Sequence, residues 1–368
     1  MYGISKIVEN FEVNDYLEHL PEDDYELDCS LGENPYGSYP EIEIKHNIID
    51  MTGSYPETEN EVVESILKRY SEVPNLTEDN VAVTSGSMAA LIGLNRMFMK
   101  EGKKTIGIAP QFTAAVDDFK IYGADYDPVY LKKENNFRFN IDEFLEKVKS
   151  CSQAYIYIDN PNNPTGQVIS LENIEKIAET AEKQDSFLCI DEAYGDYVDT
   201  SRSAVNLIDK HKNIAVVRSL SKGIGGAGIR AGYVFSNAEF IQNFRKVNIS
   251  FATSSITNHL AAQLLNSGWE NHARKKSLEN KEILLKNLEN IKVAETEMEV
   301  PIGLYYVEDE EIDLERELLK GGILSVSCRR YDGLSQNYVR LNLHRDFDKM
   351  LELMKKTDDR LKNSMNML

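Results

Sequence analysis

The chain has 368 residues, and its 61 Asp and Glu residues outnumber its 41 Lys and Arg residues, so the formal net charge at pH 7 is −20. Such acidity argues against broad nucleic-acid binding and against docking on an anionic membrane. The length suits two domains, or one large domain with a smaller lobe, and the composition (42% hydrophobic, 28% charged) predicts a soluble globular protein.

Strand and helix patterns alternate along the chain from about residue 59. Helical patterns cover 59–70, 88–99, 113–123 and 171–184, and apolar strand patterns cover 81–87, 104–110, the start of 154–166, 186–194 and 213–222. This alternation predicts an α/β fold with a mostly parallel, doubly wound sheet that helices cover on both faces. Ligands bind at the carboxyl ends of the strands in such sheets, and polar clusters follow several of these strands.

The pattern differs at the two ends of the chain, which predicts three regions. Residues 1–45 are acidic and irregular, and we expect an arm that contributes to the small domain and to an active-site loop. Residues 46–254 form the predicted large domain. Residues 255–368 combine long helices with shorter strands near 303–307, 323–327 and 338–343, followed by a terminal helix, which predicts a smaller C-terminal α/β domain.

The first polar cluster is "SGSMAAL" (85–91), where a strand pattern turns into a helix pattern. Small residues at such a turn allow backbone N–H groups to face an anion, which the helix dipole also favours. A plain tight turn explains the same residues equally well. The second cluster, "DNPNNPTG" (159–166), is an irregular loop held by two prolines and a glycine, in which an Asn can donate to a ligand oxygen.

The third cluster is "DEAY" (191–194), at the end of the strand pattern "FLCI". A carboxylate at Asp191 beside a heteroaromatic nitrogen would keep that nitrogen protonated, and Tyr194 can donate to a phenolic oxygen. A strand-end Asp is also common as a simple cap, so this cluster carries little information by itself.

The fourth cluster, "SLSKGIGGAGIR" (219–230), follows another buried strand pattern. A lysine at a crowded strand end, here Lys222, can have a lowered pKa and form a Schiff base. Ser219, Ser221 and Arg230 can bind a phosphate, with the arginine offering a bidentate contact. The alternative is an ordinary surface loop, which the three other clusters make a poor explanation.

Together the four clusters supply a phosphate site, a lysine, an acid for a ring nitrogen and donors for a ring oxygen. Pyridoxal 5′-phosphate (PLP) requires all four, because its protonated ring takes up the electrons of a substrate carbanion. The motifs "SGS", "NPNNPTG", "DEAY" and "SLSKGIGGAGIR" resemble, in order and spacing, those of the fold-type I PLP enzymes of the aspartate aminotransferase superfamily (class I/II). The resemblance covers nearly the whole chain and makes 46–254 the PLP-binding domain.

The resemblance implies a role for each matching residue. Lys222 would form the Schiff base with PLP and move the substrate proton, and Asp191 would pair with the ring nitrogen. Tyr194 and Asn163 would bond the 3′-oxygen of the ring. The other cofactor-binding residues that it implies are Gly86, Ser87, Met88, Phe112, Ser219, Ser221, Arg230 and Tyr55.

Three further residues carry expectations about substrate and assembly. Arg340, in "NYVRLNL", matches the arginine that binds the substrate α-carboxylate, and Asn163 and Tyr36 are expected as further substrate contacts. The alternative for Arg340 is that it is an ordinary surface residue of a strand. Tyr55 matches a tyrosine that reaches the cofactor phosphate of the partner subunit, which implies a homodimer with shared active sites. Phe112 matches the aromatic residue that stacks on the PLP ring. The alternative for both Phe112 and Tyr55 is that they only pack against other side chains.

"LGENPYG", "SYPE" and "GILSVSCRRYDGLSQNYVRLNL" are most similar to histidinol-phosphate aminotransferases and threonine-phosphate decarboxylases. Those enzymes usually carry an arginine for a substrate phosphate or second carboxylate where this chain has Val326. Losing such a charged contact costs about 2–3 kcal/mol. Arg329 or Arg330 can replace it only if the loop is shifted. The acidic residue common in histidinol-phosphate enzymes at the position of Met88 is also missing.

We therefore expect a PLP-dependent aminotransferase of amino-acid metabolism, acting on a small-molecule amino donor and a 2-oxo acid acceptor. Donors include amino acids and amino-phosphate esters such as histidinol phosphate. The alternative reaction is decarboxylation of an amino acid, as in threonine-phosphate decarboxylases. Two other functions are possible alternatives. A catalytically inert regulator with the PLP fold conflicts with the intact Lys222. A nucleotide-binding enzyme that uses "GIGGAG" as its phosphate loop conflicts with the sequence order, because the glycines follow the lysine.

The cysteines and the first residues of the chain bear on its location. Cys29, Cys151, Cys189 and Cys328 are scattered without CxxC or Cys/His metal spacing, which speaks against zinc and any other metal site. The first 20 residues carry too many charges for a signal peptide, and no apolar run approaches the ~18 residues of a membrane span. We expect a cytoplasmic protein with reduced thiols.

Overall fold

The computed structural model describes residues 3–11, 24–44, 48–56 and 59–365. Its strands are β1 (Leu27–Asp28), β2 (Val81–Thr84), β3 (Lys104–Ile106), β4 (Ile108–Ala109), β5 (Asp125–Tyr126), β6 (Val129–Tyr130), β7 (Tyr155–Asp159), β8 (Phe187–Glu192), β9 (Ile214–Ser219), β10 (Gly232–Phe235), β11 (Lys292–Val293), β12 (Ile302–Tyr306), β13 (Ile323–Leu324), β14 (Val326–Ser327) and β15 (Tyr338–Asn342). Its α-helices are α1 (Lys6–Glu9), α2 (Asn60–Arg69), α3 (Gly86–Phe98), α4 (Thr113–Ile121), α5 (Ile141–Lys149), α6 (Leu171–Glu182), α7 (Ala238–Arg245), α8 (Ser255–Asn266), α9 (Trp269–Lys286), α10 (Leu314–Lys320) and α11 (Phe347–Met365).

The central sheet has the strand order β2-β10-β9-β8-β7-β3-β5. All neighbours are parallel except β10, which runs antiparallel to both β2 and β9. Every residue of β7 and β9 is buried, and separate apolar clusters pack on the two faces of the sheet. The predicted α/β class with a mostly parallel sheet, covered on both faces, is confirmed.

Two details of this sheet differ from the prediction. The strand expected over 104–110 is divided at Gly107, because β4 leaves the central sheet and pairs with β6. Strand β10, "GYVF", gave no separate signal because it is short and lies directly after a glycine-rich turn.

Helix α3 begins at Gly86, two residues before its predicted start, with Gly86 at φ +79°.

Helix α6 illustrates how the sequence produces the covering layer. Ser170 caps it by accepting a hydrogen bond from the backbone N–H of Asn173, and an apolar stripe faces the sheet. The buried members of that stripe are Ile174, Ile177, Ala178 and Ala181. This i, i+3, i+4, i+7 spacing places them on one side of the helix, which leaves its charged side in solvent.

A second, antiparallel sheet has the order β11-β12-β15-β14 and packs with α9, α10 and α11 around its own apolar cluster. Strand β1 pairs in parallel with β13, so the segment near residue 27 joins this C-terminal unit. Part of the predicted arm, namely 1–2, 12–23 and residue 45, lies outside the described residues, and the domain boundaries at 45 and 254 remain predictions. Among the described helices, none is both long and apolar enough to cross a membrane.

Candidate active site

A cavity of about 590 Å³ opens at the carboxyl ends of β7, β8 and β9. Eleven of the predicted site residues line it: Ser87, Met88, Phe112, Asn163, Asp191, Tyr194, Ser219, Ser221, Lys222, Arg230 and Arg340. The four polar clusters, which span more than a hundred residues of sequence, therefore meet in one place. Parallel strands explain this, because they present their carboxyl ends at the same edge of the sheet.

Lys222 lies in the turn that follows β9, with its Nζ 5.4 Å from the centre of the Tyr194 ring. The turn is compact because Gly225, at φ +78°, sits where a side chain would lie 2.5 Å from the carbonyl oxygen of Gly37. Gly32 approaches from the N-terminal segment, and a methyl group there would lie 3.3 Å from Lys222 Nζ. The lysine is therefore enclosed by the sheet on one side and by residues near 32 on the other.

Asp191 lies near the end of β8 and is buried. Its carboxylate accepts hydrogen bonds from Tyr157 Oη (2.9 Å) and from the backbone N–H of Ala193 (3.0 Å). Burial raises its pKa to about 6, and the two hydrogen bonds and the charge of Lys222 oppose that rise. Whether Asp191 is ionised therefore depends on the groups that bond to its carboxylate or carry charge near it.

Asp159 is a second buried acid at this edge, directly opposite Asp191 in the strand register. It accepts hydrogen bonds from the backbone N–H groups of Phe112 (3.2 Å) and Asn163 (2.9 Å). Burial raises its pKa to about 7. Asp159 therefore ties together the two loops that carry Phe112 and Asn163. The motif that begins at Asp159 did not by itself indicate this role, although an acid that ends the apolar run "YIYI" was a usable signal.

An anion-binding corner lies at the start of α3. A methyl group at Gly86 would lie 3.0 Å from Arg230 Nη2, so glycine is needed for the arginine to approach the helix N-terminus. Arg230 Nη1 donates to Ser221 Oγ at 3.3 Å, and Ser219 Oγ accepts from the backbone N–H of Ser221 at 3.2 Å. With Ser87 beside them, these groups offer N–H and hydroxyl donors to an anion at the positive end of a helix dipole.

Arg340 lies on β15 and is buried, which excludes a surface position on that strand. Its guanidinium donates to Asn163 Oδ1 at 3.3 Å and to the carbonyl oxygen of Ser30. Tyr331 Oη also reaches Asn163 Oδ1, at 3.4 Å. A positive group with fixed orientation therefore faces the cavity from the C-terminal sheet, where it can bind a carboxylate.

Gly86, Tyr36 and Tyr55 do not line the cavity of their own chain, although Gly86 lies against Arg230, which does. Tyr36 packs edge-on against His272, and its Oη accepts from Asn280 Nδ2 at 3.4 Å, outside the cavity. Tyr55 is 76% exposed and stacks on Phe251 with 4.6 Å between ring centres. Tyr36 therefore lies outside the cavity, its substrate contact remains a prediction, and Tyr55 lies on the surface of the chain that carries it.

Several lining residues were not predicted as site residues. They come from the N-terminal segment, from helix α10 and from β14 with the residues next to it: Ser30, Leu31, Gly32, Glu33, Glu315, Ser325, Val326, Ser327, Arg329 and Arg330. Arg329 is engaged with Asp313 at 2.6 Å. Val326 pairs with Arg340 across the sheet, so its side chain occupies the wall beside the guanidinium. The turn-rich "LGENPYG" was the sequence signal for the first group.

The chain is similar in sequence to known proteins over most of its length. The family model described as aminotransferase class I and II matches residues 21–356. The chain is 29% identical over 335 residues to the histidinol-phosphate aminotransferase of Methanocaldococcus jannaschii, covering 88% of this chain and 86% of that one. It is 31% identical over 287 residues to the histidinol-phosphate aminotransferase of Caldanaerobacter subterraneus, covering 77% and 76%.

A solved structure shows the same fold. The histidinol-phosphate aminotransferase of Sinorhizobium meliloti, in complex with pyridoxal-5′-phosphate, matches with a TM-score of 0.80. The match covers 98% of this chain and 99% of that chain, at 16% sequence identity. The architecture is therefore shared over nearly the whole length, including the strand ends that surround the cavity.

Proposed function

The chain belongs to the aminotransferase class I and II family, and from that premise we infer that it is a PLP-dependent aminotransferase. We propose that it moves an amino group between an amino acid, or an amino-phosphate ester such as histidinol phosphate, and a 2-oxo acid. The observation that carries this proposal is the placement of Lys222, the buried Asp191 and the corner at Arg230 around one cavity. Decarboxylation is the weaker alternative.

The residues present fit PLP. The corner formed by Gly86, Ser87, Ser221 and Arg230 offers donors for a phosphate, and the close approach at Gly86 leaves no room for a side chain there. Asp191 offers a buried carboxylate that needs a cationic partner to ionise at low cost. The cavity volume, about 590 Å³, lies in the range of cofactor sites.

PLP supplies, when bound, an aldehyde carbon for amines and a ring that takes up the electrons of a breaking bond at the substrate α-carbon. Lys222 Nζ is the amine of this chain that reaches the cavity, and we propose that it removes and returns the α-proton. Asp191 would accept a hydrogen bond from a protonated ring nitrogen, while Tyr157 and the Ala193 amide hold that carboxylate in place. Tyr194 and Asn163 would donate toward a ring oxygen.

Arg340 favours transamination over decarboxylation. A substrate carboxylate bound to its guanidinium is held to one side, toward the C-terminal sheet, because the side chain is buried there and bonded to Asn163. The α-hydrogen of the substrate is then free to face Lys222 Nζ. For decarboxylation, the bond between the α-carbon and the carboxylate would have to take the position of the α-hydrogen.

We further propose a homodimer whose two active sites are shared. Exposed apolar side chains lie near Tyr55 in sequence or near Phe251, the residue that stacks on it: Ile49 (75% exposed), Ile249 (54%) and Phe251 itself (59%). Covering such side chains by a second copy would bring Tyr55 to the site of the partner.

All four cysteines, each within the described residues, are free, which supports our proposal of a cytoplasmic location.

A donor and acceptor screen tests the reaction. Purified protein is supplied with PLP, a set of amino acids and histidinol phosphate as donors, and 2-oxoglutarate as acceptor. We expect glutamate and a new carbonyl product in equal amounts, and no turnover from Lys222→Ala. Release of carbon dioxide without transfer of the amino group would favour the decarboxylase, and unchanged turnover by Lys222→Ala would overturn the proposal.

The dimer is tested by mass and by complementation. Light scattering is expected to give twice the chain mass of 41.8 kDa. Mixing inactive Lys222→Ala with impaired Tyr55→Ala should form heterodimers that contain one intact shared site. A monomer, or mixed protein with no recovered activity, would contradict shared sites.

A further inference from the structure

Lys281 is a completely buried lysine that does not line the cavity. It lies on α9 with no exposed surface, and its Nζ is surrounded by four oxygens. These are Thr296 Oγ1 at 2.6 Å and the carbonyl oxygens of Val300 (2.8 Å), Ile302 (2.9 Å) and Glu297 (3.1 Å). One ammonium thus holds both ends of a seven-residue segment, 296–302.

An ammonium in this position is retained against a large desolvation cost, since lysines are almost never fully buried without partners. Burial lowers the pKa of Lys281 to about 7, and the charge of Glu297 opposes that shift. The Glu297 carboxylate is itself bonded to Arg202 at 2.9 Å and to the Met298 amide. The ammonium is therefore bound by backbone carbonyls and a hydroxyl, which fix the path of the main chain.

The segment that Lys281 holds rests on the loop of the active site. The backbone N–H of Glu297 donates to the carbonyl oxygen of Gly166 at 3.0 Å. A methyl group at Gly166 would lie 2.6 Å from the Ile302 carbonyl oxygen and 2.7 Å from Thr296 Oγ1. Two of the four oxygens that bind the ammonium are thus the atoms that Gly166 packs against.

Gly166 in turn closes the loop that carries Asn163. Its backbone N–H donates to the Asn162 carbonyl oxygen at 2.7 Å, and the backbone N–H of Thr165 donates to Asn162 Oδ1 at 3.2 Å. Asn163 itself lines the cavity and accepts from Arg340. A continuous set of contacts therefore connects α9 to a residue at the candidate active site.

We propose that Lys281 is a positioning residue of the active site: its buried ammonium orders segment 296–302, and this segment seats the loop 160–166 that presents Asn163 to the cavity. The link to catalysis rests on the proposed function. The structural part, from Lys281 to Asn163, stands independently of the reaction.

Amide hydrogen exchange on the protein without PLP tests the structural part. The variant is Lys281→Met, which keeps the length of the side chain and removes the charge. The control is Lys276→Met on the same helix, where the lysine is half-exposed and pairs with Glu279. We expect exchange to rise about tenfold or more at the amides of Gly166, Thr165 and Glu297 in Lys281→Met and to stay unchanged in the control.

Faster exchange confined to segment 296–302, or no change at all, would overturn the proposal. Should Lys281→Met fail to fold, Thr296→Val removes a single oxygen ligand and keeps the side-chain shape. That variant is expected to speed exchange at the same loop amides by a smaller factor. Unchanged loop exchange in Thr296→Val would count against the proposal in the same way.

A double-mutant cycle on the protein with PLP tests the catalytic part. Lys281→Met and Asn163→Ala are each expected to lower kcat/KM, and the double variant should lose no more than about twofold beyond Asn163→Ala alone. Fully additive losses would mean that Lys281 does not act through Asn163. A protein without aminotransferase activity would refute the proposed function while the exchange result still decides the structural link.

Discussion

Tyr157 Oη donates a hydrogen bond of 2.9 Å to Asp191 Oδ2 across neighbouring parallel strands, and both side chains are buried. The bond lowers the pKa of Asp191, against the rise that burial causes. Tyr157 does not line the cavity, so on the proposed function it would influence a bound ring only through the acid that it holds. It is the clearest example of a residue whose role depends on its neighbour in the sheet.

Tyr157→Phe should weaken PLP binding. A hydrogen bond to a charged group contributes about 1.5–3 kcal/mol, so we expect the Kd of PLP to rise about 10- to 100-fold. Titration of the protein without cofactor, followed by the visible absorbance of bound PLP, measures this. Tyr155→Phe is the control on the same strand, since its hydroxyl faces Cys189. Equal effects of the two substitutions would contradict the role of Tyr157.

The affinity for PLP should depend on pH through Asp191. Its folded pKa is raised from 3.8 to about 6, so its contribution to the stability of the cofactor-free protein is present below pH 4 and is lost as pH rises through 6. PLP binds the ionised carboxylate, so its affinity should increase over the same interval. Binding measured between pH 5 and 7.5 should show this slope.

Asp191→Asn should remove that part of the pH dependence and lower turnover on the order of 100-fold or more. The comparison of the two proteins isolates the contribution of the carboxylate to the pH dependence. A slope that is identical in Asp191→Asn would show that the acid does not govern the binding.

Gly32→Ala should impair catalysis with little effect on folding. The added methyl group would lie 2.0 Å from Tyr194 Oη, which must then move away from the cavity. Misplacement of a site group by about 1 Å can reduce the rate on the order of 100-fold. Gly228→Ala is the control, because nothing lies within 4 Å of the added atom. Thermal unfolding and kcat together measure the effect, and normal turnover would contradict it.

Val326→Arg should improve the use of phosphate-bearing donors. Val326 lines the cavity and pairs with Arg340, so an arginine there would add a bidentate donor to the wall. We expect kcat/KM for histidinol phosphate to rise about 10- to 100-fold, with no gain for uncharged amino acids. Val326→Met controls for side-chain length. No gain would indicate that another cation, such as Arg330, already binds the phosphate.

Part of the candidate site was predictable because it lies in continuous motifs. Asp191 lies near the end of a strand and Lys222 follows one by three residues, so the strand pattern places both at the sheet edge, and Arg230 ends the motif that contains Lys222. Gly32 and Tyr157 were not predictable in this way. Gly32 meets Lys222 across 190 residues of sequence, and Tyr157 occupies an ordinary apolar strand position.

The sequence by itself determined the type of those main elements that carry a strong local pattern, and the residues that follow most of the strands, since local periodicity and turn chemistry depend on near neighbours. Only the tertiary structure decided which distant segments meet. Pairing of β1 with β13 carries residues near 30 to the cavity, and the pairing of β14 with β15 places Val326 beside Arg340. Such contacts depend on sheet register and on packing between elements, which no local pattern encodes.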